Sequence, residues 1–80
     1  MESDSNRTAG VIDSFTPGAP GYGDHSTSTV RDDGPGNEIC KVSIRENIWL
    51  LDHLPLVGKR IRFTKIRGQQ GLVAEEIELE

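Results

Sequence analysis

The feature that most limits how this chain can fold is a two-residue alternation of apolar and polar side chains. It is clearest in EICKVSIR, residues 38–45, where Cys40, Val42 and Ile44 fall on one face. A β-strand places successive side chains on opposite faces, so this segment is predicted to be a strand with one buried side. Residues 59–66 repeat the alternation and predict a second strand of the same kind.

Turn residues divide the rest of the chain into further short segments. Glycine, proline and aspartate are concentrated in residues 17–23, 32–37 and 68–71, and such clusters mark loops and hairpin turns. Strands are predicted at residues 10–15, 25–31, 38–45, 59–66 and 72–79. A helical segment over residues 46–54 lies between the third and fourth strands, and Pro55 stops it.

The helical segment and the last strand each carry a local pattern. Ser43 and Glu46 have the spacing of a helix capping box. The apolar stripe of the helical segment consists of Ile48, Leu51 and Leu54. In the last strand Glu75 has the same parity as the apolar Val73 and Ile77, which predicts a bulge or an edge position.

Five strands with a helix between the third and the fourth are the outline of an oligonucleotide-binding (OB) barrel. The sequence therefore predicts an all-β fold, a small five-stranded OB-like barrel over residues 10–80. A polar segment over residues 1–9 is predicted to be a disordered tail. A five-stranded SH3-like barrel is the alternative. Eighty residues suffice for one domain with a modest core.

Positive charge is concentrated in the middle of an acidic chain. Nine Lys and Arg residues are outnumbered by thirteen Asp and Glu residues. Residues 39–67 nevertheless hold seven basic and two acidic residues, whereas residues 1–38 and 68–80 are both acidic. A basic middle predicts a surface that an anionic partner can use. The alternative is that the segments fold together and neutralise one another.

Residue usage argues against several classes of function. Cys40 is the only cysteine, which rules out an intramolecular disulfide, and the polar N-terminus has no secretory pattern; both favour a cytoplasmic protein. No apolar run is long enough to span a membrane. His25, Cys40 and His53 lack metal-site spacing, and no nucleophile or phosphate-binding motif occurs. The sequence predicts neither an enzyme nor a cofactor, and it leaves the oligomeric state open.

Several stretches resemble the cold-shock domain family. GVIDSF at residues 10–15 is similar to that family's opening strand, with its Gly-x-Val-x-x-Phe pattern. Residues 21–23, GYG, look like the start of its first nucleic-acid-binding motif. Residues 30–39 resemble its hairpin between strands two and three, and residues 56–63 its fourth strand. The resemblance covers residues 10–79 and implies an OB-type barrel that binds single-stranded nucleic acid.

The aromatic motifs of that family are largely missing from this chain. Residues 24–27, DHST, follow Gly-Tyr-Gly where an aromatic residue and an isoleucine are usual. Residues 40–43, CKVS, occupy the third strand where the second motif has aromatic residues and a histidine. The last two strands also look like those of the TRAM domain, another small RNA-binding barrel.

The candidate site combines basic and aromatic side chains, the two components that hold single-stranded nucleic acid. Alternation places Ile61 and Phe63 in the core and Arg60, Arg62 and Thr64 outside. The predicted nucleic-acid-binding residues are Lys41, Arg45, Lys59, Arg60, Arg62, Lys65, Tyr22, Phe15 and Trp49. Two of these aromatic residues have alternative positions. For Phe15 the alternative is the core, and for Trp49 it is the end of the barrel.

Two functions are consistent with this sequence. The first is a small protein that binds single-stranded RNA or DNA on a basic barrel face, with binding that falls steeply as salt rises. The alternative is a protein-interaction module, a small regulator or adaptor that docks on a larger complex. The acidic composition and the missing aromatic residues favour the alternative, and an exposed apolar patch around Ile48, Trp49 and Leu50 would support it.

Overall fold

The chain folds as a closed five-stranded β-barrel, and the computed structural model describes residues 7–21, 25–69 and 71–80. The strands are β1 (Arg7–Thr16), β2 (Thr27–Asp32), β3 (Ile39–Ser43), β4 (Arg60–Gly68) and β5 (Gly71–Leu79). A 3₁₀ helix (Ile48–His53) lies between β3 and β4. Around the barrel the strand order is β1-β2-β3-β5-β4. The predicted OB-like barrel, with its helical segment after the third strand, is confirmed.

One contact in the barrel differs from the others in direction and length. Four of the strand pairs are antiparallel: β1 with β2, β1 with β4, β2 with β3, and β4 with β5. In contrast, β3 and β5 run parallel, and among the described residues they pair at two positions, Lys41 with Val73 and Val42 with Ala74. This short parallel contact closes the sheet into a barrel.

The first strand starts earlier than the sequence predicts. β1 begins at Arg7, so residues 7–9, which the sequence assigns to a disordered tail, belong to the barrel. Residues 7–11 pair with β4, and the carbonyl oxygen of Ala9 accepts a hydrogen bond from the Asp33 N–H (3.0 Å). Backbone pairing holds this polar stretch in place although it has no apolar period. Residues 1–6 lie outside the described part of the chain.

The alternation correctly identified much of the core. Cys40, Val42 and Ile44 are buried, as are Ile61 and Phe63 of β4. Lys41, Arg60 and Arg62, which alternate with them, are exposed, because a β-strand directs successive side chains to opposite faces. The buried core consists of Ile12, Val30, Cys40, Val42, Ile44, Leu50, Leu56, Ile61, Phe63, Ala74 and Ile77.

A β-bulge in β1 changes which of its side chains face the core. The register with β2 shifts between Ile12 and Ser14, which leaves Asp13 as an extra residue. Ile12 is fully buried before the bulge, and Phe15 packs against the core after it. Of the two positions considered for Phe15, the one observed is on the core side, and the bulge after Ile12 produces it.

The bulge predicted near Glu75 in the last strand is present. The register between β4 and β5 shifts between Arg62 and Thr64, opposite an extra residue of β5. Glu76 has a φ of 52°, a left-handed conformation that is uncommon away from glycine. Beside the bulge Thr64 is buried, although alternation places it outside, and its hydroxyl donates to Glu76 Oε1 (2.8 Å).

The helical segment begins later than the capping-box spacing predicts. The 3₁₀ helix starts at Ile48, and its N-cap residue, Asn47, makes no capping hydrogen bond through its side chain. The Glu46 N–H donates to Ser43 Oγ (3.3 Å), which closes a turn before the helix rather than capping it. The helix ends before Pro55, as predicted, and the chain continues in an extended conformation.

This helix packs through a different face from the predicted stripe. Leu50 is fully buried, whereas Ile48 and Leu54 are 48% and 51% exposed. Leu51 is partly buried against the core, and Leu56 beyond the helix is buried within it. In a 3₁₀ helix residues three apart lie on the same face, so Ile48 and Leu51 do share a face, but Leu50 is the side chain of the helix that is buried in the core.

Gly10 permits the close approach of β1 to β2, which predicts a strong effect of Gly10→Ala. A Cβ at Gly10 would lie 2.2 Å from the carbonyl oxygen of Arg31. We expect Gly10→Ala to lower the free energy of unfolding by about 2 kcal/mol, as overpacking does, measured by urea denaturation. Gly36→Ala is the control, because its Cβ meets only the Glu38 side chain at 3.4 Å. Wild-type stability in Gly10→Ala would contradict this account.

Candidate functional site

Arg60 and Arg62 of β4 are held in ion pairs with carboxylates of the chain itself. Arg60 contacts Asp33 Oδ2 at 2.5 Å through Nη2 and Glu80 Oε1 at 3.0 Å through Nε. Arg62 Nε lies 3.6 Å from the other oxygen of Glu80. Hydrogen bonds to Asp33 and Glu80 raise the pKa of Arg60. The outward direction predicted for both arginines is correct, but their charge is balanced within the barrel.

Lys65 belongs to a second, more buried ionic cluster. Its ammonium group contacts the carboxylate of Asp32 and Glu38 Oε1 (2.8 Å). Asp32 is 3% exposed and also accepts hydrogen bonds from Thr8 Oγ1 (2.9 Å) and the Gly34 N–H (3.0 Å). Burial by itself raises the pKa of Asp32, but the hydrogen bonds from Lys65, Gly34 and Thr8 outweigh it and lower the pKa. Hydrogen bonds to the two carboxylates raise the pKa of Lys65.

The remaining basic residues predicted for the site do not join these arginines. Arg45 follows β3 and lies 3.1 Å from His25 Nε2 through Nη2. Lys59 precedes β4, and its carbonyl oxygen accepts a hydrogen bond from the Ile12 N–H (2.9 Å). Lys41 is exposed on the outer face of β3. The structure therefore distributes the predicted cations over several parts of the barrel.

Lys41 is also well separated from the arginines along the barrel wall. It pairs with Val73 of β5, which pairs in turn with Ile66 of β4. Arg62 lies four residues from Ile66 on β4, roughly 13 Å at the rise of a strand. A continuous row of cations from β3 to β4 is therefore not formed.

The predicted stacking residues that the structure describes, Phe15 and Trp49, are likewise not assembled into a platform. Tyr22 lies outside the described residues. Phe15 packs against the core, and Trp49 is 37% exposed in the 3₁₀ helix, with its ring edge against His53 (5.8 Å between centroids). β2 and β3 contain no aromatic residue. Within the described residues, the outer face of these two strands offers no surface for stacking bases.

Instead, a groove lined mainly by hydroxyl groups occupies that outer face. Ser14 pairs with Thr29, Thr29 with Lys41, and Lys41 with Val73, so the four residues form one row across four strands. A cavity of about 460 Å³ lies over this row. We call it the strand 2–3 groove. Its outward side chains are Ser14, Thr27, Thr29, Lys41, Ser43 and Val73.

The side chains that line the strand 2–3 groove are uncharged except for Lys41. Each hydroxyl can both donate and accept a hydrogen bond, and Ser14 Oγ and Thr29 Oγ1 already share one (2.7 Å). Lys41 is the cation of the groove, and no carboxylate lines the cavity among the described residues. Val73 and the neighbouring Ile66, 37% exposed, make one end apolar. The groove suits a mostly neutral ligand with one anionic group.

The hydroxyl residues of this groove were not among the site residues predicted from the sequence. The alternation in HSTSTVR, residues 25–31, was a signal for them, because Ser28 and Val30 are buried and Thr27 and Thr29 are not. The register between strands brings these threonines beside Ser14 and Lys41. The sequence of a single segment does not determine that register.

A second exposed surface lies in the connection between β3 and β4. Ile48, Trp49, Leu54 and Val57 are between 37% and 56% exposed. We call these four residues the apolar connection. Leu50, which the sequence analysis grouped with them, is buried. Exposed large apolar residues in one short segment are typical of surfaces that contact another protein.

Comparison of the chain with protein-family models, curated proteins and solved structures finds no match. The resemblance to the cold-shock domain therefore stays a prediction.

No group of three or more His, Cys, Asp or Glu residues suited to a metal ion occurs in residues 7–21, 25–69 and 71–80. Cys40 is fully buried, and burial raises the pKa of its thiol. No helix in the described parts is long and apolar enough to cross a membrane.

The hydrogen bonds to Asp32 predict a stability effect that depends on pH. Asp32→Asn removes the charge that Lys65 and Thr8 contact, and we expect it to lower the free energy of unfolding by about 2 kcal/mol near neutrality. Because folding lowers this pKa, the contribution is present above the unfolded value of about 3.9 and is lost as the pH falls through the folded value. The difference between wild type and variant should therefore shrink below about pH 4.

Urea denaturation near neutrality and at about pH 3 measures this difference. Asp13→Asn is the matched control, because Asp13 pairs with Arg31 at 3.3 Å between two well-exposed side chains. Its effect should stay within about 0.5 kcal/mol at both pH values. An Asp32→Asn effect that persists unchanged in acid would show that packing, and not charge, explains the role of Asp32.

Proposed function

We propose that this chain is a protein-interaction module that uses the strand 2–3 groove to hold part of a partner protein. The observation that carries this proposal is the pairing of Arg60, Arg62 and Lys65 with carboxylates of the same chain. These cations belong to the basic run GKRIRFTKIRG, residues 58–68, on which much of the expectation of a polyanion rested. With their charges balanced, the groove and the apolar connection are the surfaces left for recognition.

Charge argues against tight binding of a phosphate backbone. Nucleic acids gain affinity when free cations on the protein replace condensed counterions. Arg60 would have to release both Asp33 and Glu80 before contacting a phosphate, and the whole chain carries a formal charge of −4. Ion pairs at exposed sites are individually weak, but the released carboxylates would then repel the phosphates.

The groove has the chemistry of a protein contact. Interfaces combine apolar patches with hydrogen-bonding groups and few charges at their centre. Thr27, Thr29 and Ser43 supply hydroxyls that match both the N–H and the carbonyl groups of a polypeptide, and Val73 supplies an apolar contact. The apolar connection gives a second surface of the same general kind.

Single-stranded nucleic acid remains the second candidate ligand, because the groove lies on the face that OB folds use for oligonucleotides. Lys41 is the one cation placed there. Under this alternative the salt dependence would be shallow, with a log–log slope of about −0.7 for one phosphate contact. That differs from the steep dependence expected from the basic run.

Fluorescence anisotropy with oligo(dT) and oligo(U) at low salt separates the candidates. We expect no binding at micromolar protein, and no difference between wild type and Arg60→Glu/Arg62→Glu. Binding that Lys41→Glu abolishes, with a shallow salt slope, would support nucleic acid in the groove and contradict our proposal. Binding that the double arginine variant abolishes would restore the basic run as the site.

Crosslinking tests the protein partner directly. A photoreactive amino acid placed at Thr29, in the groove, is expected to capture one defined polypeptide in cells, whereas the same group at the exposed Pro35 is not. The captured protein is then purified, and its dissociation constant is measured with wild type and Thr29→Arg. A bulky charge in the groove should weaken binding at least tenfold. Equal affinity for both would place the contact elsewhere and contradict the proposed use of the groove.

A further inference from the structure

We infer that the strand 2–3 groove takes an extended peptide segment with one acidic side chain seated against Lys41. The inference rests on the proposed function and specifies its ligand. It follows from three properties of the groove: one cation without a carboxylate beside it, hydroxyls on adjacent strands, and an apolar end.

The acidic side chain is required by the position of Lys41. Ion pairs between described residues hold several of the basic side chains. These side chains are Arg7, Arg31, Arg60, Arg62 and Lys65. Lys41 lies in the groove without an ion pair among the described residues. A partner that covers Lys41 removes it from water, and a desolvated charge is unfavourable unless an opposite charge meets it. The ligand must therefore bring a carboxylate to this point.

The hydroxyl groups indicate that the ligand backbone is extended. In an α-helix the backbone N–H and carbonyl groups bond to one another, so little hydrogen-bonding capacity is left for the groove. An extended segment exposes both kinds of group along its length. Ser14 pairs with Thr29 across β1 and β2, and Thr27 pairs with Ser43 across β2 and β3. Neighbouring strands are spaced about 4.8 Å apart. Hydroxyls at this spacing can serve successive backbone groups of an extended peptide.

The apolar end of the groove defines a second feature of the ligand. Val73 of β5 pairs with Lys41 of the neighbouring strand β3, and Ile66 of β4 pairs with Val73. In an extended peptide, residues two positions apart point to the same side and lie about 6.6 Å apart. A peptide that crosses the strands with its acidic residue at Lys41 therefore places the residue two positions away over Val73 and Ile66. We infer that this residue is apolar.

The volume of the groove limits the contact to a short segment. A cavity of about 460 Å³ falls in the lower half of the range for small-ligand sites, about 300–1,000 Å³. The groove therefore recognises a few residues, and binding to an isolated peptide will be weak. The measurement must detect weak binding to a defined probe.

Three synthetic peptide pools provide that probe. Each has degenerate flanks and one fixed central residue, Glu, Gln or Lys, and binding is measured by ¹H–¹⁵N chemical-shift titration of the full chain. We expect the wild type to bind the Glu pool about fivefold more tightly than the Gln pool, the ratio that a partly exposed ion pair supplies. The shifts should centre on Thr29, Lys41 and Val73. Sequencing of the bound Glu pool should show an apolar residue two positions from the glutamate.

Charge reversal gives the sharper result. Lys41→Glu should prefer the Lys pool, and Lys41→Gln should lose the preference without reversing it. Lys59→Glu is the matched control, because it makes the same charge change at a site that does not line the groove, and it should keep the wild-type preference. The spectra of the free variants verify that each remains folded.

Other outcomes would overturn the inference and bear differently on the proposed function. Equal binding of the three pools, or no reversal in Lys41→Glu, would overturn the acidic ligand. The proposed function would survive that result if crosslinking at Thr29 still captured a partner. Displacement of bound peptide by oligo(dT), with shifts at Thr29 and Lys41, would overturn both.

Discussion

The structure depends most on one buried carboxylate. Asp32 ends β2 and receives hydrogen bonds from β1 through Thr8, from the following turn through Gly34, and from β4 through Lys65. A buried charge is stable only when its oxygens are satisfied, so this residue imposes a single arrangement on three parts of the barrel. It also removes Lys65 from the set of cations that a ligand could use.

The same principle explains why a basic run in the sequence does not become a basic surface. Arg60 and Arg62 point outward, as their alternation with Ile61 predicts. The carboxylates that meet them, Asp33 and Glu80, are distant in sequence. They are brought close by the pairing of β1 with β2 and β4 and of β4 with β5. The basic middle and the acidic ends are therefore real features of the sequence, but they do not predict the charge that the folded surface presents.

The sequence was sufficient for properties that are local. The two-residue period placed Cys40, Val42 and Ile61 in the core, and the parity of Glu75 indicated the β5 bulge. It was insufficient where tertiary contacts decide. The 3₁₀ helix packs through Leu50 instead of the expected stripe, pairing with β4 places residues 7–9 in the barrel, and the register of four strands forms the groove.

The short parallel seam between β3 and β5 has a consequence for how binding and closure are linked. The other strand pairs are longer, whereas this seam consists of two residue pairs in the described chain, one of them Lys41 with Val73. Both residues line the groove. A segment bound as proposed would bridge this short seam, and by mass action it would favour the closed over the open barrel. Amide hydrogens along the seam would then exchange more slowly in the complex. Their exchange rate would report both how much of the groove is occupied and how much of the barrel is closed.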